Sequence, residues 1–232
     1  MTPEIVRTGE FVRDVAEFML QQARRALAER GEFRLSLSGG NTPRPIYREL
    51  ARIGSGLPWE RTLITFGDER CVPPEHEESN YRMARESLFI PASVPDRSVA
   101  RMRGEIDPRL AAQEYQDQLE VLAAQKGEMI FRHDLIMLGL GDDGHTASLF
   151  PETAALDENT RKVVANFVPK LDTWRITFTH PLLAHARRIC FIIDAKKDPA
   201  LVEKVLAGDK EYPAARVNHL GAPVTWIIEQ SA

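Results

Sequence analysis

Strand-like and helix-like patterns alternate along this 232-residue chain, and that alternation limits its fold more than any other feature. Residues 11–28 place Val12, Val15, Met19, Ala23 and Ala26 three or four apart, the spacing of one helix face, with Gly31 as a stop. FRLSLS then alternates Phe33, Leu35 and Leu37 as a strand. It runs into GGNTP, where Pro43 can open the helix PRPIYREL because a first-turn proline forfeits no needed hydrogen bond. RTLITFG (61–67) is a second strand, followed by the polar loop DERCVPPEHEES and a helix from about Ser79 to Leu88. A further helix runs from about Asp107 to Ala124, with Asp107 as its cap and Pro108 at its first position. HDLIMLGL (133–140) has the continuous apolar character of a parallel strand covered on both faces. RKVVANFV, WRITFTH and RICFIID read as strands and HPLLAHA and PALVEKVLAG as helices, with VTWIIE (224–229) closing the sheet. The segment from about Pro91 to Gly104 is the loosest and carries no readable chemistry. Right-handed crossovers then predict one α/β domain over residues 1–232: a doubly wound, mostly parallel, Rossmann-like sheet with helices on both faces.

Composition removes several classes of function. No apolar run approaches the ~18 residues of a membrane helix, and the acidic N-terminal stretch MTPEIVRTGEFVRDV lacks an apolar signal core. Cys71 and Cys190 alone make no disulfide framework, and Cys190 sits in an apolar run, so a cytoplasmic location is expected. A net charge of −4 argues against nucleic acid as partner, yet leaves room for a small phosphorylated substrate held by a local cluster of donors.

Open parallel sheets bind ligands beyond the carboxyl ends of their strands. Three strands here run into unusual polar loops, and all three loops should open on one edge. In Ser38-Gly39-Gly40-Asn41-Thr42-Pro43, glycines permit close backbone approach and a helix N-terminus favours an anion. A tight turn with Asn41 or Thr42 as helix cap explains the same residues. The loop is neither GxGxxG nor a P-loop, so no dinucleotide or nucleoside triphosphate is indicated.

Gly139-Leu140-Gly141-Asp142-Asp143-Gly144-His145-Thr146 concentrates acids and a histidine after a buried strand. His145 is suited to move a proton near neutral pH, and Asp143 can fix its tautomer. The alternative has Asp143 capping a helix and His145 as a bystander. Arg70, in Asp68-Glu69-Arg70, offers a planar fork for phosphate, carboxylate or oxyanion, although a surface ion-pair cluster would look alike. Lys170 and Arg175 bracket the start of WRITFT and can add positive charge. Cys71, His76, Asp143 and His145 fit no compact zinc spacing, HExxH is absent, and no Gly-x-Ser-x-Gly elbow occurs. No metal site and no serine nucleophile are therefore expected.

Taken together, LSLSGGNTPRPIYREL, FGDERCVPPEHEESNYRMARESLF and HDLIMLGLGDDGHTASLFP resemble the three signature blocks of bacterial 6-phosphogluconolactonases. VPKLDTWRITFTHPLL resembles a fourth, and the similarity spans most of the chain. Glucosamine-6-phosphate deaminases share the superfamily, but their third block continues toward Phe-Asn-Glu-Pro and their second reads Asp-Glu-Tyr. Phe150 stands here at that carboxylate position, and Arg70 at the tyrosine. Asn41 departs from the serine common in lactonases, and Lys170 is followed by Leu-Asp rather than by prolines.

The resemblance implies hydrolysis of 6-phosphogluconolactone in the oxidative pentose phosphate pathway, with no cofactor and no metal. It implies that Ser38, Gly39, Gly40, Asn41 and Thr42 hold the phosphate, assisted by Lys170 and Arg175. His145, oriented by Asp143, would activate water, Arg70 would stabilise the oxyanion, and Asp68 would hold Arg70 or a sugar hydroxyl. The implied substrate is a small phosphorylated sugar lactone; neither nucleic acid nor membrane is expected as a partner, and a monomer or weak homodimer is the default expectation for the assembly. A deaminase/isomerase is the first alternative, and a non-catalytic sugar-phosphate-binding regulator the second.

Overall fold

The structure, a computed structural model, describes residues 2–230, so positions 1, 231 and 232 of the expected domain span lie outside the described residues. Strands β1 (Glu4–Thr8), β2 (Phe33–Leu37) and β3 (Thr62–Phe66) alternate with helices α1 (Phe11–Arg30) and α2 (Pro43–Ile53). The short strand β4 (Asp68–Arg70) follows, then α3 (Asn80–Ala84), α4 (Pro108–Ala124) and β5 (Leu135–Leu138). β6 (Val163–Val168), β7 (Thr173–Phe178), α5 (His180–Leu183), β8 (Ile189–Ile193), α6 (Pro199–Leu206), α7 (Pro213–Val217) and β9 (Val224–Glu229) complete the order.

Six strands form one sheet in the order β1-β9-β8-β5-β2-β3, and every pairing in it is parallel. Successive side chains of a strand point to opposite faces. Leu135 and Met137 of β5 therefore join the core under α1, α2 and α3, while Ile136 and Leu138 join the core that includes α4, α6 and α7. Helices thus cover both faces, as the apolar run of β5 requires. The chain leaves β2 toward β3 on one side and continues from β5 through β8 on the other. The strand order reverses between β2 and β5, which is where such sheets bind ligands.

A second sheet, β4-β7-β6, is antiparallel. It begins one residue beyond β3: the Gly67 N–H donates to Leu37 O at 3.0 Å, and Phe178 N–H donates to Gly67 O at 2.8 Å. The small sheet is therefore pinned to the carboxyl edge of the large one.

Several expectations change. Asp68–Arg70 is a strand, not loop. β1 makes the sheet edge, so VTWIIE lies between β8 and β1 instead of closing the sheet. α3 is short and runs on into a π-helical turn, Arg85–Phe89. The loose segment has a place too. Ala100 N–H donates to Ile64 O at 2.8 Å, and a Cβ on Gly104 would lie 2.3 Å from Arg70 O. The predicted cap of α4 holds, with Asp107 accepting from Arg109 and Leu110 N–H. Among the described residues no helix is long and apolar enough to cross a membrane.

Candidate active site

Ser38 follows β2 directly, and its backbone is clamped by Tyr47 of α2. The tyrosine hydroxyl accepts Ser38 N–H at 3.0 Å and donates to Ser38 O at 2.9 Å. Past this clamp the N–H groups of Gly39, Gly40 and Asn41 donate to no acceptor among the described residues, and Gly40 adopts φ +97°. Thr42 stands at the N-cap position of α2, but among the described residues no side chain makes a capping bond there. The Thr42 hydroxyl instead donates to Asp194, just past β8. Gly39 is required by contact: a Cβ there would sit 1.7 Å from Asn80 Oδ1. Asn80 spans from this loop to Asp68, with Nδ2 donating to Asp68 O at 2.9 Å and to its Oδ1 at 3.3 Å. Its Oδ1 is buried without a partner among the described residues.

The β4 acids are buried, against the surface-cluster alternative. Glu69 accepts the N–H groups of Asn80 and Tyr81 at 2.7 and 2.8 Å, so it seats the start of α3. Burial nevertheless raises its carboxyl pKa. Asp68 accepts from the Ser148 hydroxyl at 2.6 Å. It does not hold Arg70, whose Nη1 donates to Glu78 O at 2.6 Å. Antiparallel pairing sets Arg70 directly opposite Arg175. Burial, and then the like charge of Arg70, lower the Arg175 pKa.

β5 delivers the histidine. After it, Gly141 N–H donates to His145 O at 2.8 Å and Thr146 Oγ1 donates to Gly139 O at 2.8 Å, which closes a tight loop. Asp143 Oδ1 lies 2.5 Å from His145 Nδ1 and also accepts the His145 backbone N–H at 3.2 Å. Lys170 Nζ donates to Asp143 Oδ2 at 3.1 Å. The His145 bond first, and Lys170 after it, hold the Asp143 carboxyl well below the usual carboxylate range. One face of the imidazole stacks on Phe150 at 3.9 Å and 21°. The ring also lies against Gly141, where a Cβ would fall 2.0 Å from it. Nε2 is the ring nitrogen left without a partner among the described residues.

A cavity of about 250 Å³ brings together Asp68, Arg70, Asp143, His145, Lys170 and Arg175. The Ser38–Thr42 loop is not part of its lining and is tied to it through Asn80 and Asp68. Sequence reasoning passed over Ser148, Asn80 and Lys197. Lys197 donates to Asp142 Oδ1 at 2.6 Å, three residues after the Asp194 that meets Thr42. The strand-end rule, extended to the residues after RICFIID, would have found it. Among the described residues no group of three or more His, Cys, Asp or Glu is placed to hold a metal.

A curated 6-phosphogluconolactonase of Synechocystis is 40% identical over 212 residues, covering 90% of this chain and 86% of the relative. That of Chlamydia pneumoniae is 34% identical, covering 94% and 83%. The solved 6-phosphogluconolactonase of Thermotoga maritima superimposes with a TM-score of 0.84 at 26% identity, over 98% of this chain and 100% of that one. The Trypanosoma brucei 6-phosphogluconolactonase matches equally, at 0.84 and 26%, over 98% and 96%. Residues 7–226 match the family described as glucosamine-6-phosphate isomerases/6-phosphogluconolactonase, and the chain belongs to that family.

Proposed function

We propose that this chain hydrolyses 6-phosphogluconolactone, and that the Asp143–His145 pair supplies the base. The observation that carries this reading is the 2.5 Å contact at Nδ1, which leaves Nε2 as the free ring nitrogen of a histidine that lines the cavity, while Phe150 covers one ring face. Free amides at Gly39, Gly40 and Asn41, with the Ser38 and Thr42 side chains, bind the phosphate, and Lys197 adds charge from the β8 end. Lys170 meets Asp143, so it acts on the histidine pair as much as on any phosphate. Phosphate held remotely orients the lactone carbonyl and contributes to catalysis through positioning.

His145 Nε2 takes a proton from water as its oxygen bonds to the carbonyl carbon. Arg70 and Arg175 face the developing oxyanion, a role worth about 3 kcal/mol per well-placed donor. Collapse of the tetrahedral species breaks the bond to the ring oxygen, which takes the proton back from His145. Asp143, held ionised, stabilises the imidazolium between these two steps.

The family also contains isomerases. Deamination with isomerisation calls for further proton transfers, and an aromatic ring against His145 supplies none. The test is turnover of fresh 6-phosphogluconolactone by His145→Asn. We expect kcat to fall about 10²- to 10⁴-fold with the fold intact, the range of general-base catalysis. Near-normal turnover would remove His145 as the base.

A further inference from the structure

The opposite edge of the large sheet carries a second cavity, of about 470 Å³, at the amino ends of β5, β8 and β9. Arg25, Arg30, Arg132, Arg187 and Arg188 line it, in a chain whose net charge is −4. Among the described residues two carboxylates share the lining, and both are already ion-paired. Glu29 takes Arg25 at 2.8 Å and Arg30 at 2.5 Å. Asp134, itself buried, takes Arg30 Nε at 2.9 Å, Arg34 N–H at 2.8 Å and Arg187 Nε at 3.2 Å. Glu4 reaches Arg188 at 3.1 Å from β1.

Five arginines thus stand against three carboxylates, Glu29, Asp134 and Glu4, and positive charge is left over. The Arg132 guanidinium is exposed and has no partner among the described residues. Arg187 Nε is buried, and its ion pair with Asp134 is angled so that the N–H finds no acceptor. Burial, followed by the like charges of Arg132 and Arg30, lowers the Arg187 pKa against the opposing pull of Asp134 and Glu128. Guanidinium forks match phosphate oxygens in pairs. Among the described residues no aromatic side chain lines the cavity, so a nucleobase would find none there to stack on.

We propose that this arginine-lined cavity is a binding site for a compact, multiply phosphorylated anion, separate from the His145 site. β5 lies between the two sites, with Asp134 immediately before it and the histidine loop after it.

Sodium tripolyphosphate is the probe, added to the full chain at constant ionic strength so that general screening is held fixed. A ligand that binds only the folded state raises the melting temperature with its concentration. We expect a saturable rise in the unaltered protein and in the variant Arg70→Ala/Lys197→Ala. In Arg132→Ala the apparent affinity should fall at least tenfold, with lactone turnover unchanged. Arg132 is exposed and unpaired, so this variant carries the test even if Arg187→Gln fails to fold. No rise beyond the ionic-strength control would overturn the proposal. So would full binding in Arg132→Ala, or binding lost in Arg70→Ala/Lys197→Ala, which would assign the anion to the first cavity.

Discussion

Gly141 gives the imidazole its seat. A Cβ at that position would stand 2.0 Å from His145 Nδ1 and Cε1, so Gly141→Ala displaces the ring from Asp143. We expect kcat to fall at least tenfold while the melting temperature moves by only a few degrees, because the His145 side chain is 27% exposed. An unchanged kcat would show that the ring's position is not critical. His145 and Asp143 were legible in the sequence because their partnership is local, two residues apart in one loop. Asn80 and Lys197 were not, because their meaning comes from contacts with Asp68 and Asp142, 12 and 55 residues away. Asp68 was legible as a site residue but not in its contacts, since Ser148 lies 80 residues further on.

At the scale of elements, α2 holds the exit of β2 through one hydroxyl. Tyr47 is fully buried and satisfies both the N–H and the C=O of Ser38. Tyr47→Phe leaves both groups buried and unpaired, at a cost of about 1–3 kcal/mol for each unsatisfied group. Denaturant unfolding should report that loss of stability. KM for a phosphorylated lactone should rise more than kcat falls, because the loop shaped by this clamp is assigned to phosphate. A KM unchanged beside a clear stability loss would detach the loop from substrate binding. The long amphipathic helices and the apolar β5 were readable from their period alone. β1 was missed because four exposed residues followed by a half-buried one, at a sheet edge, carry no alternation. β4 was missed because three charged residues look like loop until β7 pairs with them.

Across the whole molecule, one buried histidine links stability to acid. His133 is fully buried between Phe131 and Phe178, with Nε2 2.9 Å from Thr65 Oγ1 and Nδ1 unpartnered. Burial, with the nearby charge of Arg34, pushes its pKa down to about 3, from 6.5 in an unfolded chain. Between those values the unfolded chain binds a proton that the folded chain refuses. This contribution to stability is therefore complete above pH 6.5 and falls by about 1.4 kcal/mol per pH unit toward pH 3. His133→Leu should flatten the pH dependence of urea unfolding over that window, and an unchanged slope would contradict the assignment. The parallel sheet with helices on both faces followed from the alternation of periods. The strand order and the antiparallel wall did not, because both depend on pairings distant in sequence.

The most direct test gives the purified chain two substrates side by side: fresh 6-phosphogluconolactone, and glucosamine 6-phosphate followed for ammonia release. Lactone hydrolysis far above the spontaneous rate, without ammonia, is the predicted result. Ammonia release without lactone turnover would contradict it, and would mean that a site with Phe150 stacked on His145 and Arg70 opposite Arg175 performs isomerase chemistry instead.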